Sequence, residues 1–302
     1  MIEKKKKKFT EETLRKYVFV YSFLIVQIIC FFVFYIAINF NSIMLAFKVP
    51  TGEKWYYNFA YFLQISSSTV PLFTKYLPNT LKFFLTEWIL LLIGFMFCYF
   101  IYKKIKGYRF FRVMFFLPSI ISSTVLVMLY KKMVGVDGPI VMLYKLISGT
   151  EKSIELLANS DTATLMIIIY MIWVGFGGKI LILGGAMTRL PEDVIEYGKL
   201  EGIKPLREMF TIVLPMIWPT ISTLITLIVT GIFTASGPIL LFTKGAYGTT
   251  TISYYIWTQV YGASTGAYPV ASAIGLFFTI VGLPIVLIVR YVCAKLDSEV
   301  SY

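Results

Sequence analysis

The chain has 302 residues, of which 58% are hydrophobic and only 15% charged, and its mean hydropathy is +0.77. A soluble domain of this size carries about 25% charged residues and does not need repeated apolar runs of about 20 residues, the length that crosses a bilayer. The formal net charge of +12 is compatible with nucleic-acid binding, but the basic residues stand at the ends of apolar runs, where they orient membrane helices. Composition therefore excludes a soluble domain and predicts a polytopic membrane protein in contact with lipid, with no nucleic acid as a partner.

The residue types also limit the chemistry. Histidine is absent, which excludes Ser-His-Asp and Cys-His catalysis and removes the commonest metal ligand. The three cysteines, Cys30, Cys98 and Cys293, lie within or beside apolar segments and have no ligand-like spacing. Neither a disulfide framework nor a metal site is expected from them. We therefore predict that this chain has no catalytic residues, holds no metal and binds no cofactor.

The first predicted elements are a basic N-terminus, residues 1–16, and an apolar run at 17–39. This run has about 23 residues and no A-x-A-like end, whereas the apolar part of a cleaved signal peptide is shorter and ends in small residues. It is therefore predicted to be an uncleaved membrane helix. The basic residues before it place the N-terminus in the cytoplasm.

Five further apolar runs are predicted to span the membrane, at residues 82–102, 113–130, 163–184, 219–242 and 269–292. The run 113–130 contains Pro118, which membrane helices tolerate when neighbours satisfy the freed carbonyl. At the outer end of the run 219–242, Gly231, Gly237 and Pro238 are expected to interrupt the helix.

The loop at 103–112 is basic and contains no acidic residue. Short basic loops stay in the cytoplasm, so both termini are predicted to lie inside. The predicted fold class is an all-α polytopic membrane protein with about six transmembrane helices. It has a transmembrane domain at 17–292, which includes a cytoplasmic loop at 185–218, and a cytoplasmic tail at 293–302.

The cytoplasmic loop has the pattern of two short helices separated by a break. Pro191 suits the first helical position and is followed by two acidic residues, which favour the positive end of a helix dipole. Gly202 is placed to end this helix in the left-handed conformation, and Pro205 to begin the next one. The pair 214–215, Leu-Pro, is expected to break the second helix. The pattern alone predicts a helix-turn-helix on the inner face of a membrane bundle, or a plain connection between two spans.

The same loop contains a spaced set of residues that is more specific than its helical pattern. The set is Glu196, Tyr197, Gly198, Glu201, Gly202, Ile212, Leu214 and Pro215. It resembles the EAA loop of binding-protein-dependent ABC importer permeases, which has Glu-Ala-Ala, three residues, Gly, nine residues and Ile-x-Leu-Pro. The chain differs from this pattern at Tyr197 and Gly198, which replace the two alanines, and at Glu201, where Asp is usual.

Residues around the motif resemble the carbohydrate branch of these permeases. They are 79–81, 110–112, 116–118, Trp173, 190–191, Phe210 and Pro219. With them, the resemblance extends over residues 79–292. It implies the fold of a type I ABC importer permease of the maltose or multiple-sugar kind, as a multi-pass protein of a bacterial cell membrane.

The resemblance also implies a mechanism. In such importers the EAA helix docks into a groove on a cytoplasmic ATPase subunit and moves with ATP binding, so Glu196 would pair with a basic residue of that subunit. Gly202 would form the turn. Ile212, Leu214 and Pro215 would hold the loop to the membrane core. The plain alternative for Glu196 is a solvated charge on a helix.

The partners that the resemblance implies are a second, homologous permease as a heterodimer partner, two cytoplasmic ATPase subunits and an extracytoplasmic solute-binding protein. The sequence has no GxxxxGK[ST] loop, whose backbone would cradle phosphates. ATP and Mg would therefore be used by the partner ATPase, and this chain itself is not expected to be an enzyme.

Several residues at membrane depth are candidates for the substrate path. Glu87 and Lys179 are charged, and charges inside a membrane pair with each other or face a cavity; both alternatives stay open. Trp173 is a candidate for stacking on a sugar ring. One face of the fifth span carries the threonines Thr223, Thr226, Thr230 and Thr234. This stripe is expected to hydrogen-bond to neighbouring helices or, alternatively, to line a polar path.

The expected function is ATP-driven import of a carbohydrate such as an oligosaccharide. One alternative is a permease for an amino acid or another small polar solute. A membrane-embedded transferase is a second alternative, but it would need paired carboxylates or His at an interface. A channel or secondary carrier is a third, and it would not require the EAA spacing.

Overall fold

The structure is a computed structural model that describes residues 11–68, 70–149, 155–262 and 267–298. All regular elements in these ranges are helices. Residues 1–10 and 299–302 lie outside the described residues. Most of the predicted basic N-terminus and the end of the predicted tail belong to these outer parts.

Long and short helices follow one another along the chain. In order they are α1 (Glu11–Cys30), α2 (Ile38–Ala46), α3 (Tyr57–Ser68), α4 (Leu77–Tyr102), α5 (Tyr108–Ile120), α6 (Ser123–Val134), α7 (Pro139–Ser148), α8 (Ala163–Met187), α9 (Glu192–Leu200), α10 (Pro205–Glu208), α11 (Leu214–Met216), α12 (Trp218–Thr230), α13 (Ile239–Phe242), α14 (Ile252–Tyr261) and α15 (Tyr268–Ser298). Three π-helical turns adjoin these helices, at Phe31–Ala37, Leu72–Tyr76 and Met209–Val213. The first joins α1 to α2 and the third joins α10 to α11, so each of these pairs forms one continuous helix.

Four helices in the described residues are long and apolar enough to cross a membrane. They are Arg15–Ala46, Leu72–Tyr102, Ala163–Met187 and Tyr268–Leu296. Two bent helix pairs raise the number to six if each pair is counted as one span. The pairs are Tyr108–Ile120 with Ser123–Ser148, bent by 111°, and Pro205–Met216 with Trp218–Thr230, bent by 79°. The predicted all-α, polytopic class with about six spans agrees with this architecture.

The helix Arg15–Ala46 is the most exposed element. None of the residues in its most apolar stretch is buried inside the chain, and its C-terminal part, α2, packs on α15. An apolar surface of this size is strongly unfavourable in water. It therefore requires a cover of lipid or of another chain.

The predicted span 113–130 consists of two helices that meet at a sharp bend. Helix α5 ends at Ile120, the backbone is extended at Ile121 with ψ 142°, and α6 begins at Ser123. Pro118 has no N–H to donate within the last turns of α5, and its ring crowds the preceding turn. The helix is weakened there, and the two halves of the span point in different directions.

The predicted span 219–242 is interrupted earlier than its predicted end. Helix α12 ends at Thr230, turns follow, and only the short α13 restores a helix. Gly237 has φ +57°, a conformation that L side chains rarely adopt, and Pro238 has no N–H to continue a helix. The interruption therefore lies in the Gly231–Pro238 region, as the residue types suggest, and the continuous helix ends at Thr230.

The core is built around α4 and α8, which pack closely against each other, and α5 packs on α8. Gly177 permits the close approach of α5. A Cβ at this position would lie 2.7 Å from Cβ of Ser119 and 3.0 Å from the carbonyl oxygen of Phe115. Small residues are the usual means by which membrane helices approach closely.

Replacing Gly177 by alanine is expected to destabilise the fold by about 1–3 kcal/mol, because the added methyl group meets the backbone of α5. The measurement is the unfolding temperature of the purified protein in detergent. Gly178 is the matched control, since it is exposed on the same helix and a Cβ there meets nothing within 4 Å. Gly178→Ala is expected to be neutral or slightly stabilising. Equal unfolding temperatures for the two variants would contradict the packing argument.

The N-terminal end of α4 is tied to the loop between α13 and α14. Asn79 is buried and donates from its side-chain amide to the carbonyl oxygens of Gly248 and Thr250, at 2.6 and 3.1 Å. The N–H of Ile252 donates to the hydroxyl of Thr80 at 3.0 Å. These bonds satisfy backbone groups that the loop would otherwise leave unpaired. Helix α4 therefore connects this loop with the opposite end of the bundle.

Candidate functional site

Residues 185–218, which we name the coupling segment after the role that the sequence predicts for them, contain α9, α10 and α11. The first helix of the segment begins at Glu192, and the backbone of Pro191 is extended with ψ 126°. Pro191 therefore precedes the helix and does not occupy its first position, a shift of one residue from the prediction. The second helix begins at Pro205, as the sequence suggests.

Helix α9 ends at Leu200 and is closed by a turn at Gly202. This residue has φ +70°, and its N–H donates to the carbonyl of Lys199 at 3.0 Å. The N–H of Ile203 donates to the carbonyl of Gly198, also at 3.0 Å. The two bonds together form a Schellman motif, which closes a helix and favours glycine at the left-handed position. Gly202 thus provides a fixed turn between α9 and α10.

The second helix does not break at Leu214-Pro215, contrary to the prediction. It continues through Pro215 to Met216, and the chain bends at Ile217, which has φ −99° and ψ 11°. The π-helical turn Met209–Val213 lies directly before this proline. A π-helical turn is wider than an α-helical one, so it gives the proline ring room within a continuous helix.

Helix α9 has one buried and one exposed face. Ile195 and Gly198 are buried against the protein, whereas Glu196 is exposed, Tyr197 is 64% exposed and Leu200 is 87% exposed. Glu196 takes part in neither of the ion pairs found among the described residues. A carboxylate flanked by an exposed tyrosine and an exposed leucine forms a surface suited to a protein partner.

The glycine at position 198 is explained by the packing of Ile212. A Cβ at position 198 would lie 3.0 Å from Cδ1 of Ile212, so the alanine of the EAA pattern would press on this side chain. Ile212 and Leu214 pack in turn against the buried cluster below them. Glycine at position 198 therefore keeps α9 close to the second helix. Tyr197, which replaces the first alanine of the EAA pattern, is exposed on the other face of α9.

An apolar cluster joins the coupling segment to the membrane helices. Its buried members are Leu91, Phe95, Cys98 and Tyr99 of α4, Leu183 and Met187 of α8, Leu190, Ile195, Met209, Val213 and Ile217 of the coupling segment, and Ile221, Leu224 and Ile228 of α12. Each large aliphatic side chain that is fully buried contributes about 1.5–3 kcal/mol relative to exposure. The coupling segment is consequently a packed part of the bundle, in contact with α4, α8 and α12.

A buried ion pair lies at the edge of this cluster. Nζ of Lys103, the C-cap residue of α4, is 2.8 Å from Oε2 of Glu208, the last residue of α10. The Glu208 side chain is only 2% exposed. Sequence reasoning missed this pair, because Lys103 belongs to a basic flank and Glu208 lies outside the EAA spacing. The available signal was the placement of Glu208 four residues before Ile212, on the inward face of the helix.

The two charges at membrane depth also form an ion pair. Nζ of Lys179 on α8 lies 3.2 Å from Oε2 of Glu87 on α4, and their side chains are 15% and 34% exposed. Of the two alternatives that the sequence left open, the structure contains the pair between helices.

Among the described residues, the threonine stripe makes no hydrogen bond to a neighbouring helix, which corrects the first expectation for it. The hydroxyls of Thr223, Thr226 and Thr230 each donate at 2.8 Å to the carbonyl four residues earlier in their own helix. Thr234, beyond the end of α12, donates to the carbonyl of Gly231 at 3.4 Å. Threonine hydroxyls in helices satisfy themselves in this way when no closer acceptor is offered.

Trp173 lies in an aromatic cluster. Its ring centroid is 6.3 Å from the centroids of Tyr130 and Tyr170, and both tyrosines contact Phe242. These contacts pack α8 against α6 and α13. In this structure Trp173 therefore has a packing role.

A cavity of about 540 Å³ lies between α12, α14 and α15. Its hydroxyl and aromatic lining comprises Thr230, Thr234, Ser253, Thr279, Phe233 and Phe278. Two of the four stripe threonines reach this cavity. Glu87, Trp173 and Lys179 do not line it.

Residues 42–301 match a known family, the binding-protein-dependent transport system inner membrane components. The chain belongs to this family. Membership confirms the resemblance based on the coupling segment, and it makes the chain a multi-pass membrane protein and a component of a transport system.

Two of three relatives of this family member carry names from sugar transport. The chain is 26% identical over 188 residues to the multiple sugar-binding transport system permease protein MsmF of Streptococcus mutans, which covers 62% of this chain and 64% of that protein. It is 27% identical over 187 residues to protein LplB of Bacillus subtilis, with 61% of this chain and 58% of that protein covered. It is 24% identical over 117 residues to the maltose/maltodextrin transport system permease protein MalF of Escherichia coli, with 38% and 22% covered. The match thus spans less than two thirds of the length of these relatives.

The fold has a counterpart among solved structures. A chain of a bacterial alginate ABC transporter, solved in complex with a periplasmic protein that carries an alginate pentasaccharide, superposes with a TM-score of 0.76. The two are 22% identical, and the alignment covers 97% of this chain and 99% of the other. A second structure, of an ABC transporter involved in the import of the acidic polysaccharide alginate, gives a TM-score of 0.75 at 22% identity. The family member therefore has the fold of a chain of an ABC transporter, as the sequence predicted.

Proposed function

We propose that this family member is the permease subunit of an ATP-driven, binding-protein-dependent importer for carbohydrate, such as an oligosaccharide. The coupling segment carries the proposal. Its helix α9 exposes an acidic and apolar face to solvent, its other face is buried against the bundle, and its residues have the spacing of the EAA loop. Relatives named for multiple-sugar and for maltose/maltodextrin transport support carbohydrate as the solute.

In this proposal the exposed face of α9 docks into a groove of a cytoplasmic ATPase subunit. Glu196 pairs with a basic residue of that subunit, and Tyr197 and Leu200 become buried beside it. ATP and Mg are used by the ATPase, which supplies the movement. Because the coupling segment is packed on α4, α8 and α12, a docked α9 biases the bundle between two conformations.

The proposed assembly contains a second, homologous permease, two ATPase subunits and an extracytoplasmic solute-binding protein, in a bacterial cell membrane. Both termini lie in the cytoplasm in this arrangement. The unburied apolar helix Arg15–Ala46 then faces lipid or the second permease. Either contact covers the apolar surface that this chain leaves exposed.

The cavity between α12, α14 and α15 is the proposed place of contact with the sugar. Its hydroxyl groups, from Thr230, Thr234, Ser253 and Thr279, are of the kind that hydrogen-bonds to sugar hydroxyls. Its phenylalanine rings offer apolar surface to a sugar ring. A volume of about 540 Å³ lies within the range of about 300–1,000 Å³ that is usual for small-ligand sites.

The function is tested by purifying the tagged chain from its host membrane with whatever binds it and reconstituting it in proteoliposomes. We expect an ATPase subunit to co-purify and to hydrolyse ATP faster when a sugar-loaded binding protein is added. Glu196→Ala is expected to uncouple this stimulation, because the carboxylate is the charged centre of the docking face. Glu53→Ala is the control, since Glu53 is also exposed but lies outside the coupling segment. A preparation without any ATPase, together with an unaffected Glu196→Ala variant, would show that the importer proposal is wrong.

A further inference from the structure

Lys103 and Glu208 form a buried ion pair, and neither residue belongs to the EAA spacing of the coupling segment. The pair joins the last turn of α4 to the last residue of α10. These elements are far apart in the sequence, so α4 has no short covalent connection to α10. Side-chain contacts alone hold the end of α4 to the coupling segment.

From this geometry we infer that Lys103 and Glu208 are positioning residues that transmit the movement of the coupling segment to α4. The inference rests on the proposed function, in which a partner moves α9. It adds a defined path, from α9 through the fixed turn at Gly202 to α10, and from Glu208 to Lys103.

The pair is not needed to attach the segment. Met209 and Val213 are fully buried beside it, and the apolar cluster around them already supplies the attachment. A buried ion pair adds little net stability, because removing both charges from water offsets most of their attraction. What such a pair does add is one defined register between the two elements that carry it.

The surroundings of Glu208 give the pair an alternative partner. Tyr99 lies one turn before Lys103 on α4 and is completely buried. Its hydroxyl lies near the Glu208 carboxylate but has no hydrogen-bond partner within the described residues, whereas Oε1 of Glu208 is in contact with Nζ of Lys103. A small rotation of α10 relative to α4 would allow Tyr99 to donate to that oxygen. The carboxylate therefore has two possible partners at the end of α4, the ammonium group of Lys103 and the hydroxyl of Tyr99. An element that switches between two arrangements needs such an alternative partner.

The coupling segment is joined to α12 in a different way from its contact with α4. The chain bends at Ile217 before it enters α12, so movement reaches α12 through the backbone. Movement reaches α4 through the Lys103–Glu208 pair and the apolar contacts around it. Because α4 packs along α8 and also carries Glu87, a displacement of its end alters the helix interface in the middle of the bundle.

The test uses the complete transporter in proteoliposomes and measures sugar imported per ATP hydrolysed. Glu208→Gln and Lys103→Met are expected to lower this ratio by about tenfold, while the ATPase subunit still co-purifies and still hydrolyses ATP. The exchanged pair, Lys103→Glu with Glu208→Lys, is expected to recover part of the ratio, which a general loss of packing would not allow. Lys106→Met is the control, since Lys106 is an exposed lysine of the same loop.

A second variant keeps the test decisive if single substitutions leave too little protein. Lys103→Met with Glu208→Leu replaces the pair by apolar side chains and is expected to fold as well as the wild type but to transport poorly per ATP. Wild-type ratios in this double variant would overturn the inference. If the wild-type complex itself shows no ATPase stimulation, the proposed function fails instead. The inference about the pair is then tested on the purified chain. Glu208→Gln is expected to speed amide hydrogen exchange in residues 205–217, and an unchanged exchange rate would overturn the inference.

Discussion

Replacing Leu200 by glutamate is expected to reduce sugar uptake by at least about tenfold while the chain stays folded. Leu200 is 87% exposed on the outer face of α9, so it contributes almost nothing to the stability of the chain alone. Substitutions at such sites change stability by about 0.5 kcal/mol or less. In the proposed complex the same side chain is buried by the ATPase subunit.

The size of the effect follows from burial. A leucine that becomes fully buried contributes about 1.5–3 kcal/mol, and each 1.4 kcal/mol is about tenfold in a binding constant. Glutamate loses this contribution and adds a charge that the partner must desolvate. Uptake and co-purification of the ATPase are therefore expected to fall together.

The measurement compares three chains in the same membranes. Leu200→Met is the matched control, because methionine keeps the apolar surface and is expected to retain most of the uptake. Unfolding temperatures of all three chains should agree. Normal uptake with Leu200→Glu would mean that α9 does not dock through this face, and the coupling segment would then need another contact surface.

Sequence reasoning placed the coupling segment well, because its signals are local. Gly202 is required where a helix ends in the left-handed conformation, and Pro205 suits a helix start. Both effects depend on a few neighbouring residues, and both elements are found at those positions. The apolar runs are similarly local, since the length of a span is set by the thickness of the bilayer.

The bends were not predicted correctly, because the position of a break depends on the packing around it. Pro118 and Pro215 each remove one backbone hydrogen bond, and each is followed within three residues by a change of direction, at Ile121 and at Ile217. The second is accommodated by the π-helical turn before it, and the bend falls at Ile217. Proline predicts a weak point in a helix, and the neighbours decide where it yields.

Contacts between distant segments were the least predictable part of the site. Lys103 and Glu208 meet because the turn that follows α10, with Met209 and Val213, is buried in the same cluster as the end of α4. In the sequence, Lys103 has the ordinary position of a basic residue that follows a span. For the threonines of α12 the sequence offered neighbouring helices as partners, but the nearest acceptors are carbonyls of the same helix.

Removing one member of the Glu87–Lys179 pair is expected to be the most destabilising change inside the membrane domain. The pair joins α4 to α8 at 3.2 Å, and the remaining charge would have no partner in an apolar surrounding. Breaking a fully buried pair costs about 3–5 kcal/mol, and the cost here is expected to be smaller, because the two side chains are 15% and 34% exposed. We therefore expect Lys179→Met and Glu87→Gln each to lower the yield and the unfolding temperature in detergent.

The double variant separates a structural pair from a contact with substrate. Glu87→Gln with Lys179→Met leaves no unpaired charge, so most of the lost stability is expected to return, and the four chains form a double-mutant cycle. Uptake is then measured on the folded double variant. We expect it to recover as well, because neither residue lines the cavity between α12, α14 and α15. A stable double variant without uptake would instead assign the Glu87–Lys179 pair to the substrate path, since the fold would be restored and transport would not.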